Sequence, residues 1–133
     1  MERMTVLAVE PGKRPYVKEV DNSLEGLQKE VDGTIEAIYP FDDPVALICN
    51  EEGKLRGLAL NRGLRDEDGV LYDVIAGTFL VVGLSRESFA PLSRELQEKY
   101  LWRFYGPEMF IQADGTLYAI ASFEPPCEKN VIS

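Results

Sequence analysis

Two apolar segments in the middle of the chain, residues 45–49 and 78–83, flank a polar passage punctuated by glycines. The second segment reads TFLVVG and lacks polar alternation, a pattern typical of a strand that is covered on both faces. We therefore expect this segment at the centre of the hydrophobic core. The first segment is followed by turn residues at 50–53 and by a further apolar run at 55–60.

This order predicts a β-hairpin of residues 45–49 and 55–60, with Gly53 in the left-handed conformation. Both strands of such a hairpin would contribute to the core of the domain. We therefore expect Leu55 and Phe79 to lie in one shared hydrophobic interior.

Residues 72–77 allow two interpretations. They continue a strand that starts at Val70, or Asp73 caps one helical turn that Gly77 closes. We favour the helical turn, because capping accounts for both the acid and the glycine.

The N-terminal part predicts a hairpin and then a helix. Residues 5–9 and 16–20 are rich in apolar residues and are separated by a proline- and glycine-containing turn, which indicates two antiparallel strands. Asn22 is the expected cap of the helix, Glu25 stands in the capping-box position, and Gly33 is expected to close the helix in the left-handed conformation. The apolar face of this helix should carry Leu24, Leu27 and Val31.

The remaining elements are a strand, a second helix and a closing hairpin. Residues 34–41 have strand composition and are expected to pair beside the 45–60 hairpin. Residues 93–104 predict a helix, and residues 109–112 and 116–123, joined by Asp114-Gly115, predict the hairpin. The helix has an apolar stripe at four-residue spacing, formed by Leu92, Leu96, Tyr100 and Phe104.

The order of elements is ββα, several β, α, ββ, which has too few crossover helices for a doubly wound parallel sheet. We therefore predict an α+β fold with a mixed or antiparallel sheet and two helices. A chain of 133 residues fits one domain. We expect this domain to span residues 1–124 and to be followed by a flexible tail, residues 125–133.

The composition is that of an acidic protein. Asp and Glu outnumber Lys and Arg 23 to 14, and the formal net charge is -9. Because contacts from Lys and Arg to phosphates supply most nucleic-acid affinity, direct binding to nucleic acid is not expected. The alternative is that the acidic surface imitates DNA, although scattered acids of this kind usually serve solubility.

The expected location is the cytoplasm. The longest apolar run is too short to span a membrane, and the N-terminus leads directly into a strand rather than a signal peptide. Cys49 and Cys127 are too few for the disulfide framework of a small secreted domain, so we predict two free thiols.

The chain contains no histidine. This excludes Ser-His-Asp and Cys-His relays, histidine metal ligands and an imidazole proton shuttle. Two cysteines cannot complete a four-ligand zinc site, and no phosphate-binding glycine motif is present. We therefore expect no cofactor and no metal, while chemistry based on carboxylates remains open.

The polar passage between the two apolar segments is the expected place for a site. If its loops converge, they would bind a protein or a small anionic ligand. The candidate residues are Asn50, Arg56, Asn61, Arg62, Asp73 and Thr78.

These candidates also have structural interpretations, which we favour. Asp73 is either a desolvated carboxylate with a raised pKa or a helix cap. Arg56 and Arg62 are either a bidentate anion-binding pair or solvated neighbours of acids. Asn50 and Asn61 end predicted strands, where forming a turn is the usual role.

Four aromatic residues cluster at the end of the second helix: Tyr100, Trp102, Phe104 and Tyr105. Packing in the core is the ordinary role of such a cluster, but Trp102 lies off the apolar stripe. The region 100–105 is therefore the candidate surface for a homo-oligomer.

Several motifs carry a family resemblance, and the most specific are Asn-Glu-Glu-Gly at residues 50–53 and Ile-Ala-Gly-Thr-Phe at residues 75–79. Together with residues 21–28, 60–62 and 82–83, they resemble the family of domains of unknown function numbered thirty-eight forty-six, found in gut bacteria, phages and conjugative elements. The resemblance covers about residues 6–104. It implies an association with mobile elements and an accessory or host-defence role, and it carries over no catalytic residues.

We therefore expect a non-enzymatic binding or interaction module associated with bacterial mobile elements. One alternative is an enzyme that uses Asp73 and an arginine on a small anionic substrate. Another is an acidic antagonist of a host DNA-binding or defence protein. If the six candidate side chains lie on different faces of the protein, the binding site expected in the polar passage does not exist.

Overall fold

The computed structural model of the protein describes residues 2–121. The helices are α1 (Leu24–Val31) and α2 (Arg94–Arg103). The strands are β1 (Arg3–Val9), β2 (Tyr16–Asp21), β3 (Ile35–Ile38), β4 (Val45–Asn50), β5 (Leu60–Arg65), β6 (Leu71–Ala76), β7 (Phe79–Leu84), β8 (Phe89–Ala90), β9 (Glu108–Ala113) and β10 (Thr116–Ala121). The predicted α+β class, with two helices in the described part, is confirmed.

Strand β7 occupies the centre of the main sheet. The strand order is β2-β1-β7-β4-β3, the pairings between these strands are antiparallel, and the short β8 adds to the end of β7. Residues 79–82 are each 0% exposed. The prediction that this segment is a central strand covered on both faces is therefore confirmed.

The pairing register of β7 creates a core on each face of the sheet. Val81 pairs with Leu7 on one side and with Leu47 on the other, so these three side chains form a row across one face. Its neighbour Leu80 belongs to the corresponding row on the opposite face. Because side chains alternate along a strand, one central strand contributes to both cores.

Different elements cover these two faces. Helix α1 packs Leu27 and Val31 against the Leu80 face. Helix α2 and the separate β5–β6 pair cover the Val81 face. The covering side chains on that face include Leu64, Ile75, Leu92, Tyr100 and Phe104.

Helix α1 is capped by Ser23, so the prediction that Asn22 is the cap is wrong. The Ser23 hydroxyl accepts a hydrogen bond from the Gly26 N–H at 3.0 Å, which satisfies one free donor of the first turn. The Asn22 side chain instead donates to the Phe89 carbonyl at 3.5 Å. The predicted cap is therefore wrong by one residue, because Asn22 contacts the β8 strand.

At the other end of α1, Asp32 rather than Gly33 takes the left-handed conformation, with φ of 63°. Gly33 has a different requirement. A Cβ at Gly33 would lie 2.7 Å from Nδ2 of Asn50, so the glycine is needed for a close approach. The predicted closing role of Gly33 is therefore corrected.

The predicted hairpin of residues 45–49 and 55–60 is wrong. Both edges of β4 are already occupied, one by β3 and one by β7, so β4 has no free edge for a third strand. Strand β5 pairs with β6 instead, in a sheet of its own. The predicted strand is also misplaced, because β5 begins only at Leu60, the last residue of the predicted strand.

Consecutive turns occupy residues 51–57, between β4 and β5. Gly57 in these turns has a positive φ of 72°, whereas Gly53 does not take the left-handed conformation. Leu55 is 89% exposed, while Phe79 is fully buried. The expectation that they share one interior is therefore wrong, and the reason for expecting the polar loops to emerge side by side is removed.

Residues 72–77 continue a strand, so the favoured helical turn is also wrong. Strand β6 finds its pairing partner in β5, and Asp73 lies within the strand opposite Leu64. Gly77 has a φ of 85° and its N–H donates to the Ala59 carbonyl at 2.7 Å. The glycine therefore makes the change of direction between β6 and β7 rather than ending a helix.

The second helix and the closing hairpin agree with their predictions. Helix α2 is capped by Ser93, and its apolar stripe faces the core. Strands β9 and β10 pair in antiparallel fashion and form the closing hairpin. Residues 122 and 123 of the predicted last strand, and the predicted tail 125–133, lie outside the described residues. Neither described helix is long and apolar enough to cross a membrane.

The fold predicts opposite outcomes for the same substitution at two leucines. Leu80→Ala should lower the free energy of unfolding by about 2–5 kcal/mol, because it leaves a cavity in the central strand. Leu55→Ala should change it by less than about 0.5 kcal/mol, because that side chain is exposed. Urea denaturation of both variants measures the difference. A large loss of unfolding free energy in Leu55→Ala would contradict the exposed position of Leu55 and support the shared core predicted from the sequence.

Candidate functional site

The six candidate residues lie in four places and do not form one site, although Asn50 and Asp73 both line a small depression of about 170 Å³. Asn50 and Arg56 meet at the end of α1, and Asn61 and Arg62 lie in the interior. Asp73 is exposed beside Lys54, and Thr78 is partly buried between β6 and β7. The predicted convergence of the polar loops is therefore wrong.

Asn50 and Arg56 bind the carbonyl groups that α1 leaves unpaired at its end. Asn50 Nδ2 donates to the carbonyls of Val31 at 3.0 Å and Asp32 at 3.1 Å, and its Oδ1 accepts from the Glu52 N–H at 2.8 Å. Arg56 Nη1 donates to the Asp32 carbonyl at 2.6 Å. Together these contacts satisfy a helix C-terminus, which is a structural role.

Asn61 is fully buried and connects three parts of the backbone. Its Nδ2 donates to the carbonyls of Val9 at 2.9 Å and Gly77 at 2.8 Å. Its Oδ1 accepts a hydrogen bond from Arg62 Nη1 at 2.7 Å. Both Nδ2 donors are used within the domain and the side chain is 0% exposed, so Asn61 is not accessible to a ligand.

Arg62 is a buried cation held by neutral oxygens. Its side chain is 0% exposed, Nε donates to the Phe104 carbonyl at 3.0 Å and Nη2 to the Lys13 carbonyl at 2.6 Å. Burial lowers the pKa of Arg62, and the charge of Glu108 opposes that change. The side chain thus ties β5 to the end of α2 and to the β1–β2 turn, and the expected solvated arginine is corrected.

Asp73 is neither a cap nor a buried acid. It lies in β6 with an exposed side chain, and Oδ1 accepts from Lys54 Nζ at 2.5 Å. The ion-pair partner of Asp73 is therefore a lysine. The enzyme hypothesis required an arginine, Arg56 or Arg62, in that place. An exposed pair of this kind contributes little to stability.

A groove of about 610 Å³ lies beside the start of α1, between this helix, β3 and the β7–β8 connection. We call it the α1 groove. Leu24 is 60% exposed and Tyr39 is 61% exposed in its lining, and Arg86 and Glu87 lie exposed in its polar part. The other lining residues are Asn22, Ser23, Leu27, Ile35, Leu84, Ser85, Ser88 and Phe89.

A second depression of about 600 Å³ brings two acidic segments together, and we call it the acidic cleft. Asp42 and Asp43 come from the β3–β4 connection, and Asp66 and Glu67 come from the β5–β6 turn. These residues lie more than twenty positions apart in the sequence, so the cleft is a product of the fold. The remaining lining residues are Pro40, Phe41, Arg65, Tyr72, Lys99, Tyr100 and Arg103.

Asp43 is the best-bonded acid of this cleft. Its Oδ2 accepts from Lys99 Nζ at 2.6 Å and from the Tyr100 hydroxyl at 2.7 Å. The bond from Lys99, with that from Tyr100, lowers the pKa of Asp43. Burial and the bond to Asp43 raise the pKa of Tyr100. Both groups are therefore fixed in one protonation state at neutral pH.

The family model described as Domain of unknown function (DUF3846) matches residues 4–105. The chain belongs to this family. No curated protein and no solved structure matches the chain. The resemblance seen in the sequence motifs is thus confirmed. The α1 groove and the acidic cleft both lie within the DUF3846 match, whereas the closing hairpin begins after it.

Two other expectations about the DUF3846 domain concern its cysteines and the aromatic residues of the region 100–105. Cys49 is a free buried thiol, as predicted, and burial raises its pKa to about 12. Cys127 lies outside the described residues. Tyr100 and Phe104 pack in the core, while Trp102 stacks on Tyr105 at 5.1 Å between ring centroids. No cluster of metal-ligating residues occurs in residues 2–121.

The α1 groove could not be predicted from the sequence pattern. Leu24 fits the apolar stripe of a helix, and Tyr39 fits a strand, so both were expected to be covered. Arg86 stands in a polar connector that carries no motif. The two acidic segments of the acidic cleft can be recognised in the sequence, but whether they meet depends on which strands pair.

Replacing Arg62 by Lys should destabilise the domain by about 2–4 kcal/mol, because a single ammonium cannot reach the carbonyls that the guanidinium binds in different directions. Arg56→Lys is the matched control and should cost less than about 1 kcal/mol, because Arg56 is partly exposed. Denaturant unfolding measures both changes. Equal losses in the two variants would contradict a special role for Arg62.

Proposed function

We propose that this DUF3846 protein is a non-enzymatic binding module whose α1 groove receives an apolar segment of a partner protein. The observation that carries the proposal is the exposure of Leu24 and Tyr39 in the lining of this groove. Exposed apolar side chains beside a concave surface are typical of interaction sites.

The shape of the groove favours a protein segment over a small molecule. The groove is open to solvent, whereas small-molecule sites usually bury most of their ligand. Its floor is apolar, with Leu27, Leu84 and Phe89, and its edge carries the polar residues Arg86 and Glu87. An apolar centre with a polar rim is the usual arrangement of a protein interface.

The directions of the pKa shifts support binding rather than proton transfer. The hydrogen bond from Tyr16 lowers the pKa of Glu10, and the same bond raises the pKa of Tyr16 to about 12. Asp43, Tyr100 and Cys49 are likewise moved away from neutral pH. A general acid or base works best with a pKa near the operating pH, which these groups lack.

The finer part of the proposal is that the partner belongs to the host of a phage or conjugative element. It rests on the family resemblance and stays a prediction, as do the cytoplasmic location and the expectation that the protein does not bind nucleic acid directly. The net charge of -9 supports that last expectation.

Capture from a host-cell lysate, followed by affinity measurement on the purified partner, tests the proposal. The Leu24→Ser, Tyr39→Ser double variant should bind the partner about 10–100-fold more weakly, because it removes the exposed apolar contacts. A Leu55→Ser, Val70→Ser double variant removes equally exposed residues outside the groove and should bind normally. A partner that binds the wild type and both double variants equally would show that the groove is not the binding site.

The acidic cleft supports a second candidate function, an antagonist of a basic host protein. Its specific observation is the meeting of Asp42 with Asp66 and Glu67 in one depression lined by aromatic rings. Of the basic side chains in the same lining, Lys99 is paired with Asp43 and Arg65 with Glu108. Carboxylates and aromatic faces both attract Lys and Arg side chains.

An oligolysine peptide provides the probe for this second function. Its binding should weaken several-fold as salt is raised from about 50 to about 200 mM, because exposed charges are screened. Asp42→Asn with Glu67→Gln should reduce binding further than Glu95→Gln with Glu98→Gln, which removes the same charge from α2. Equal effects of the two double variants, or no dependence on salt, would contradict a role for the cleft.

A further inference from the structure

The closing hairpin, β9 and β10, is attached to the body of the domain by one face. Phe110, Leu117 and Ala119 on that inner face are partly buried. Arg65 Nη2 pairs with Glu108 Oε1 at 2.9 Å and also donates to the Ala119 carbonyl at 3.2 Å. The inner face is thus fixed by both apolar packing and an ion pair.

The outer face of this hairpin is apolar, and it is exposed in the part of the chain that the structure describes, residues 2–121. Met109 is opposite Ile120 and Ile111 is opposite Tyr118 in the pairing register, so these four side chains lie together on one side of the two strands. Their exposed fractions are 56%, 50%, 44% and 51%. A sheet that carries large apolar side chains on both faces is normally covered on both.

We propose that the outer face of the closing hairpin binds the same face of a second copy of this chain. The first argument is charge. The whole chain carries a formal charge of -9, but between residues 108 and 121 the only charged side chains are Glu108 and Asp114. Glu108 is paired with Arg65, and Asp114 lies in the turn that joins the two strands. Repulsion between two acidic copies is therefore small at this face.

The second argument is the match between the two surfaces. A partner with a charged surface would have to desolvate its charges against Met109, Ile111, Tyr118 and Ile120, which offer no counter-charge. A second copy presents an identical apolar face, and a two-fold axis between the two facing hairpins makes such contacts mutual. The occupant that the chemistry favours is the hairpin itself.

The size of the face sets the strength of the dimer. Half-exposed side chains at four positions give roughly 300–400 Å² of apolar surface on each copy. This is about half of what each partner buries in a stable complex, so the dimer should be weak and reversible, with a Kd in the range of about 10 µM to 1 mM. The inference does not depend on the α1 groove, which lies on other elements.

Sedimentation velocity between about 10 µM and about 1 mM tests the proposal with the purified chain, residues 1–133. The wild type should shift from monomer to dimer with rising concentration. Ile111→Lys and Ile111→Glu should each weaken the dimer at least about 30-fold, because a charge is buried against a second apolar face or a like charge. Mixing the two variants should restore association, since opposite charges then meet.

Two controls separate this result from unfolding and from the α1 groove. Leu55→Lys places the same charge at an exposed position away from the hairpin, and Leu24→Lys places it in the groove; both should dimerise like the wild type. Thermal unfolding should be nearly unchanged in all four variants, and Met109→Lys replaces Ile111→Lys if that variant is unstable. A wild type that stays monomeric throughout, a dimer that survives both Ile111 variants, or capture of a different protein by the hairpin face overturns the proposal.

Discussion

Strand β7 imposes the main constraint on this molecule. Its residues 79–82 are apolar without alternation, so both of its faces need a cover, and each of its edges needs a strand. β1 and β4 take the edges, α1 covers one face, and α2 with the β5–β6 pair covers the other. The positions of β1, β4, α1, α2 and the β5–β6 pair follow from meeting these four requirements around one strand.

A polar counterpart to this apolar centre is the buried pair Asn61 and Arg62. The β5–β6 pair forms its own sheet and has no strand hydrogen bonds to the main one, so side chains must connect the two. Asn61 does so through the carbonyls of Val9 and Gly77, and Arg62 through those of Lys13 and Phe104. Residues that look like ligand-binding groups in the sequence therefore act as internal connections.

The surfaces left open by this arrangement are the ones that carry our proposals. A helix of eight residues cannot cover a whole face of the main sheet, and the α1 groove lies where its cover ends. The closing hairpin uses one apolar face for attachment and leaves the other exposed. The α1 groove exposes Leu24 and Tyr39 beside the charged residues Arg86 and Glu87, whereas the outer face of the hairpin exposes only apolar side chains at its four central positions. The proposed interaction surfaces therefore lie where the packing of the sheets and helices leaves side chains uncovered, rather than in the polar loops.

Local pattern determined the α+β class, the opening and closing hairpins, the α2 stripe and the central position of residues 79–82, because these depend on periodicity and on neighbours in the chain. Pattern failed where a segment had to choose a distant partner. The run at 55–60 lost its expected partner because both edges of β4 were taken, and Asp73 lies in a strand because β5 offered an edge. Likewise, the burial of Arg62 and the exposure of Leu24 depend on which surfaces meet. The sequence by itself determined the fold class, both helices and most strands, because these follow from local periodicity. Tertiary structure decided which strands pair and the conformation of residues 55–60 and 72–77, and so which polar groups were enclosed and which apolar ones were left outside.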